Sequence, residues 1–291
     1  MKSQIKHIAV MSQNAARLFK FYECLFDLRK ANSEASRELQ EEQDRKFGYP
    51  ILASKRVASP FDATIIASDG NIGLSFNRRR PGYPGGLDHF GIEVDDLEGL
   101  FAKLKEKYPQ IGVVKRPDNR PFASYSTHDI HGTIFDLTKP GMKNIRGVWA
   151  DAGREQQRYI KHLTIRTMHP ASLAEFYIDV YELKEEEKAL EDPNFYLSDG
   201  KVTLVIAPWK IEDYYGTEHR APGLDHVGYK VESLEAFKND VEILTRADPE
   251  WLAPKSPNLE SENDVVIGLL QSCRYGKHQV SDPEGNFIDV E

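Results

Sequence analysis

The sequence predicts an α+β fold written twice in tandem. Three observations carry this: a length of 291 residues, self-similarity between the two halves, and strand-period and helix-period apolar patterns alternating within each half. "IKHIAV" at Ile5 returns as "IKHLTI" at Ile160, and "LFKFYECLFDL" at Leu18 as "LAEFYIDVYEL" at Leu173. "ASDG" ending at Gly70 returns as "LSDG" ending at Gly200. "GLDHFGIEV" at Gly86 returns as "GLDHVGYKV" at Gly223, and "DIHGTIFDL" at Asp129 as "DPEGNFIDV" at Asp282. The repeat divides the chain into domains at 1–140 and 158–291. Residues 141–157, rich in Gly and charge, read as a linker.

The elements of the first half follow in order. "IKHIAV" is a short strand, and "NAARLFKFYECLF" spaces its apolar residues for a helix capped by Asn14. The charged stretch from Lys30 to Lys46 is read as an inserted, solvated helix. "ATIIASDGNIGLSF" makes two strands around a turn at Asp69-Gly70. "FGIEV" is a further strand, "LEGLFAKLKEKY" a second helix, and "FASYSTHDIHGTIFDLT" a closing hairpin. Strand, helix, strands is thus run twice per half, an α+β plan with helices on one face of the sheet.

Side chains alternate along a strand, so each strand assigns its residues to faces. Phe90, Ile92 and Val94 share one face, leaving His89 and Gly91 on the other; Val227, Tyr229 and Val231 oppose His226 and Gly228. Ile8 and Val10 oppose His7, and Leu163 and Ile165 oppose His162. Phe135 and Leu137 oppose Asp136, and Ile288 and Val290 oppose Asp289. The helix-free face of each half therefore carries His, His and Asp. A lone histidine there is ordinarily solvated, but the same trio in both halves is a ligand set for a divalent metal with open coordination positions. The residue two after each histidine is Ala, Thr or Gly, which leaves room beside it.

Composition bounds the partners. Apolar content of 40% and charged content of 29% fit a soluble globular chain, and a net charge of -8 argues against nucleic acid or an anionic membrane as partner. Cys24 and Cys273, the two cysteines, build no disulfide framework and fit a reducing cytoplasm. No apolar h-region opens the chain, and no run is long enough to span a bilayer.

The order strand-His, helix, "SDG" hairpin, "GLDH", helix and "DPEGN" hairpin resembles the vicinal-oxygen-chelate superfamily, which includes glyoxalases, bleomycin-resistance proteins and extradiol dioxygenases. The resemblance covers the chain except the insertion near residues 30–60 and the linker. It implies paired βαβββ modules, two per domain, whose curved mixed sheets form a metal-binding cup. It puts the ligands at His7, His89 and Asp136 in the first half and at His162, His226 and Asp289 in the second. Both halves end on Asp where the family ordinarily has Glu. Glyoxalase I takes a further Glu from the strand before "GLDH", where this chain has Gly73 and Thr203. The three-ligand set therefore resembles the extradiol dioxygenases, which implies Fe(II), with Mn(II) or Zn(II) as alternatives, and a small aromatic substrate with O2. The resemblance leaves a homo-oligomer open. A glyoxalase-like lyase or isomerase and a ligand-sequestering protein are the alternatives.

Ring cleavage needs an acid/base group beside the metal. His278 and Tyr275 stand nearest to the family's place for it, with Tyr125 matching His278 in the first half. The second half, with its intact "DPEGN" turn, is expected to be the working one. Trp149, Trp209 and Trp251 lie in loop-like contexts, and Trp209 is a candidate for a pocket rim.

Overall fold

The computed structural model describes residues 1–30, 64–79, 82–117, 122–141, 156–212, 222–250, 252 and 273–291. The inserted stretch, most of the linker, Trp149 and Trp251 lie outside them.

The first half runs β1 (Ser3–Ser12), α1 (Ala15–Phe26), β2 (Arg29–Lys30), β3 (Ile65–Ser68) and β4 (Gly73–Arg78). A second pass follows with β5 (Gly86–Val94), α2 (Leu97–Lys107), β6 (Val113–Lys115), β7 (Tyr125–His128) and β8 (Ile134–Thr138). The second half repeats the plan with β9 (Tyr159–Thr167), α3 (Pro170–Tyr181), β10 (Lys184–Glu185), β11 (Phe195–Ser198) and β12 (Thr203–Pro208). It closes with β13 (Gly223–Lys230), α4 (Leu234–Ala247), β14 (His278–Ser281) and β15 (Phe287–Val290). The strands form two mixed sheets, ordered β2-β3-β4-β1-β5-β8-β7-β6 and β10-β11-β12-β9-β13-β15-β14. These are tandem βαβββ-type modules in an α+β fold.

Local chemistry explains the helices. Asn14 caps α1 by accepting the Arg17 N–H at 3.1 Å. Leu18, Phe21, Tyr22, Leu25 and Phe26 are buried at helical spacing. Phe26 stacks on Tyr229 of the other half with ring centroids 3.9 Å apart, while Tyr22 packs on Phe76 of its own half. Tyr177 and Tyr181 of α3 pack in turn on Phe135 of the first half. So α1 and α3 lie between the two sheets, inside one apolar core that spans both halves. Each aromatic buried there contributes roughly 1.5–3 kcal/mol. The helix-free faces consequently point outward.

The recurring turns tie the halves together. Asp69 Oδ1 accepts the N–H groups of Asn71 and Ile72 within its own turn, and its Oδ2 accepts the Ile160 N–H at 2.8 Å. Asp199 does the same for Lys201, Val202 and, at 2.6 Å, Ile5 of the first strand. Gly70 and Gly200 follow with φ of 89° and 96°, a region that a side chain disfavours. Asp282 Oδ2 accepts the Tyr22 hydroxyl at 3.1 Å, and Asp129 Oδ2 accepts the Tyr177 hydroxyl at 3.0 Å. Among the described residues no helix is long and apolar enough to cross a membrane.

Candidate metal centres

In each half three neighbouring strands deliver the trio to the helix-free face. Register pairs Gly91 with His7 of β1 on one side and with Asp136 of β8 on the other. Gly228 is likewise paired with His162 and with Asp289. A side chain at either glycine would fill the centre. A Cβ at Gly91 would sit 2.2 Å from Phe122 Cε1, and one at Gly228 would sit 1.9 Å from His162 Cε1.

Donor atoms of His7, His89 and Asp136 all lie within 4.8 Å of one another. His89 Nε2 is 3.3 Å from Asp136 Oδ2, and the Ser126 hydroxyl donates to Asp136 Oδ1 at 2.5 Å. In the second half His226 Nε2 and His162 Nε2 stand 3.0 and 3.3 Å from the same Asp289 Oδ2. The Gln279 amide donates to Asp289 Oδ1 at 3.3 Å, from the strand position equivalent to Ser126. The donors of His162 and Asp289 also lie within 4.8 Å of Cys273 Sγ, a residue the strand alternation does not reach.

A metal fits these residues, because they leave polar atoms that nothing else satisfies. Buried His7 Nδ1 and both ring nitrogens of His162 lack a hydrogen bond among the described residues. The His162 Nε2 approach to Asp289 is close in distance but lacks hydrogen-bond geometry. Buried polar groups left this way cost about 1–3 kcal/mol each, which a cation would offset.

Behind the trio stands a second row of carboxylates. Asp88 Oδ2 is 2.6 Å from His89 Nδ1, and Asp225 Oδ2 is 2.7 Å from His226 Nδ1. Adjacent residues on a regular strand point to opposite faces, and here the strand is irregular. Asp88 is an extra residue between the pairs Leu87–Val10 and His89–Ala9, and Asp225 and His226 together oppose Thr164. The carboxylate holds the proton on Nδ1 and turns Nε2 toward the trio, the usual arrangement behind a metal-bound imidazole. Arg166, itself buried, anchors Asp225 by donating to Oδ2 at 2.8 Å.

Electrostatics split the two imidazoles of each pair. Burial alone lowers the affinity of His89 for a proton, yet Asp136 and Asp88 raise its pKa to about 9. His226 reaches about 9 in the same way against its burial, through Asp289 and Asp225. Burial, and then the neighbouring His89, hold His7 down to about 3, and burial lowers His162 as well. The metal-free pair thus stores one proton beside a carboxylate held below its usual range. Cation uptake releases that proton.

The two centres differ in access. The side chains of His89 and Asp136 are 20% and 11% exposed, whereas His162, His226 and Asp289 are each 1% exposed. Tyr196, Val205, Cys273 and Tyr275 form a separate buried cluster on the helix-free face of the second sheet. The Tyr275 ring stacks on His162 with centroids 5.2 Å apart, and its hydroxyl donates to Glu186 Oε2 at 2.7 Å. Glu186 also accepts from Thr203 and is paired with Arg274. In the first half the place of Val205 beside the trio is taken by Ser75. Phe122 stacks on His7 at 5.1 Å, as Tyr275 does on His162.

Of the three candidate acid/base groups, only Tyr275 is brought to a centre. His278 pairs with Val290 and packs on Phe237, and Tyr125 pairs with Leu137 and packs on Phe101. Register therefore places both on the helix-covered face, opposite the trios, and corrects their assignment. The residues that sequence reasoning missed are Cys273, Asp88, Asp225 and Glu186. Trp209 is half-buried at the end of β12, its N–H donating to Thr167 O. A cleft of about 750 Å³ lies where the halves meet, lined by Asn14, Arg17, Arg79, Glu284 and others, and its lining contains none of the six ligands.

No family model matches the sequence, and no curated protein matches it. Solved structures do match. The Mn(II)-bound glyoxalase from Novosphingobium aromaticivorans superposes at TM-score 0.59 and 14% identity, over 99% of this chain and 81% of that one. The chain also resembles the 2,3-dioxygenase LapB from Pseudomonas sp. KL28, at TM-score 0.58 and 12% identity over 99% and 91% of the two chains. Homoprotocatechuate 2,3-dioxygenase from Arthrobacter globiformis matches at 0.59 and 9% identity, over 99% and 78%. At such identities the likeness is one of fold.

Proposed function

We propose that this chain is a vicinal-oxygen-chelate protein and a metal-dependent oxidoreductase of extradiol type, acting with O2 on a catechol-like or other small molecule bearing vicinal oxygens. The observation that carries it is the first half's donor set of two imidazoles and one carboxylate, beside which no further His, Cys, Asp or Glu donor joins the group among the described residues. His7, His89 and Asp136 would hold the ion where substrate reaches it, because a reacting centre keeps open positions and this one is the more exposed. The sequence-based preference for the second half yields to that burial. A divalent ion held there supplies a Lewis acid that lowers the pKa of a substrate hydroxyl; Fe(II) is favoured, ahead of Mn(II) and Zn(II).

The chain's own residues do the positioning. Asp88 keeps the His89 proton on Nδ1, so Nε2 faces inward. Ser126 holds one oxygen of Asp136, so the other is directed at the trio. Phe122 walls His7 from one side, in a left-handed conformation (φ 62°) that costs a non-glycine residue about 1–3 kcal/mol. A glyoxalase-like reaction is the weaker reading. The position beside His7 that would supply a fourth carboxylate is Gly73, in register with it.

The test is anaerobic loading with Fe(II), then a panel of catechols with oxygen uptake recorded. Uptake that persists in Asp289→Ala and is lost in Asp136→Ala supports the proposal. Iron-loaded protein that consumes no oxygen with any catechol, or activity lost only in Asp289→Ala, overturns it.

A further inference from the structure

The geometry points to Cys273 Sγ as a fourth donor that closes the second centre, so that the two halves of one chain hold metals of different preference. The inference rests on the reading of the trios as metal sites. Its first support is distance: the sulfur and the donors of His162 and Asp289 all lie within 4.8 Å of one another, and His226 joins this group of three through its 3.0 Å approach to Asp289 Oδ2. Its second is independent of the cysteine. His162 is 1% exposed, yet neither ring nitrogen has a hydrogen bond among the described residues. An imidazole that is sealed from water and lacks a hydrogen bond on either nitrogen asks for a cation, and the thiol stands beside it.

The surroundings agree with a closed site. Tyr275, two residues on from Cys273, lies flat on His162, and Tyr196 and Val205 complete the cover. The Tyr275 hydroxyl is fixed by Glu186, which Arg274 and Thr203 hold in turn. His226 is locked by Asp225 and Arg166. His226 and Tyr275 are thus pinned from behind, whereas Asp88 in the first half is 43% exposed.

Donor chemistry then separates the two sites. Two imidazoles and a carboxylate suit Fe(II) or Mn(II), while a thiolate added to that set favours zinc and disfavours manganese. Four protein donors leave no place for substrate, the condition of a structural rather than a reacting metal. The second ion would hold the segment carrying Cys273 and Tyr275 against the sheet, and the first would meet substrate.

Cobalt(II) tests this without reference to turnover. A Cys24→Ser chain keeps Cys273 as its one cysteine. Chelator-treated Cys24→Ser protein receives two equivalents of cobalt and its absorption is recorded. Visible ligand-field bands with a near-ultraviolet thiolate-to-cobalt charge-transfer band are expected, the latter lost on adding Cys273→Ser. Should that variant not fold, X-ray absorption on zinc-loaded Cys24→Ser protein should show a sulfur shell at about 2.3 Å. Ligand-field bands with neither a charge-transfer band nor a sulfur shell overturn the inference and leave the metal reading standing. No bound cobalt or zinc at all removes both.

Discussion

A histidine ligand works only if its ring is turned the right way, and Asp88 and Asp225 do the turning. Replacing Asp225 by Asn keeps the shape but removes the charge that holds the proton on His226 Nδ1. Asp225→Asn should weaken metal binding at the second centre about 10–100-fold, leaving the first centre unaffected. Asp88→Asn should do the reverse, and competition against a chromophoric chelator reads both. These carboxylates were not legible in the sequence for a definite reason. Strand alternation sends neighbours to opposite faces, and the bulge at "GLDH" breaks that rule at the one place where it matters. The shared face of the six trio residues was legible because their strands keep the alternation where the trio stands. His278 and Tyr125 were misplaced because the register of a hairpin is set by its turn, which one sequence does not pin down.

Among the elements, the two hairpin turns of each half explain why the chain repeats "SDG" and the Asp–Gly of its closing turn. Each aspartate closes its own turn through Oδ1 and binds across to the opposite half through Oδ2, which in Asp282 also accepts the Asn286 amide at 2.7 Å. Tyr22→Phe would leave Asp282 Oδ2, in a fully buried residue whose carboxyl burial already raises, without its hydroxyl donor. A loss of about 1–3 kcal/mol in urea unfolding is expected, with a similar loss for Tyr177→Phe at Asp129. No loss in either would show that these bonds do not hold the halves together. The helices were legible from spacing and from Asn14, since both are local signals. The bond from each turn to the other half was not, because it joins residues between 48 and 260 positions apart.

Over the whole molecule, the two similar halves form a sheet–helix–sheet sandwich with one trio on each outward face. Self-similarity made the repeated βαβββ plan legible, because both halves repeat the same buried face, but not the packing of the helices between the sheets. It could not reveal how the two halves differ. Ser75 against Val205, Gly73 against Thr203 and Phe122 against Tyr275 are small changes in sequence, yet together with Cys273 they accompany a partly open centre in one half and a sealed one in the other.

The claim beneath all of this is that each half holds a divalent ion. Elemental analysis of protein loaded with excess divalent metal and then desalted tests it most directly. The account predicts two ions per chain, falling to one in His89→Ala and to one in His226→Ala. A wild-type chain that retains no metal, or a content unchanged by both substitutions, would contradict it.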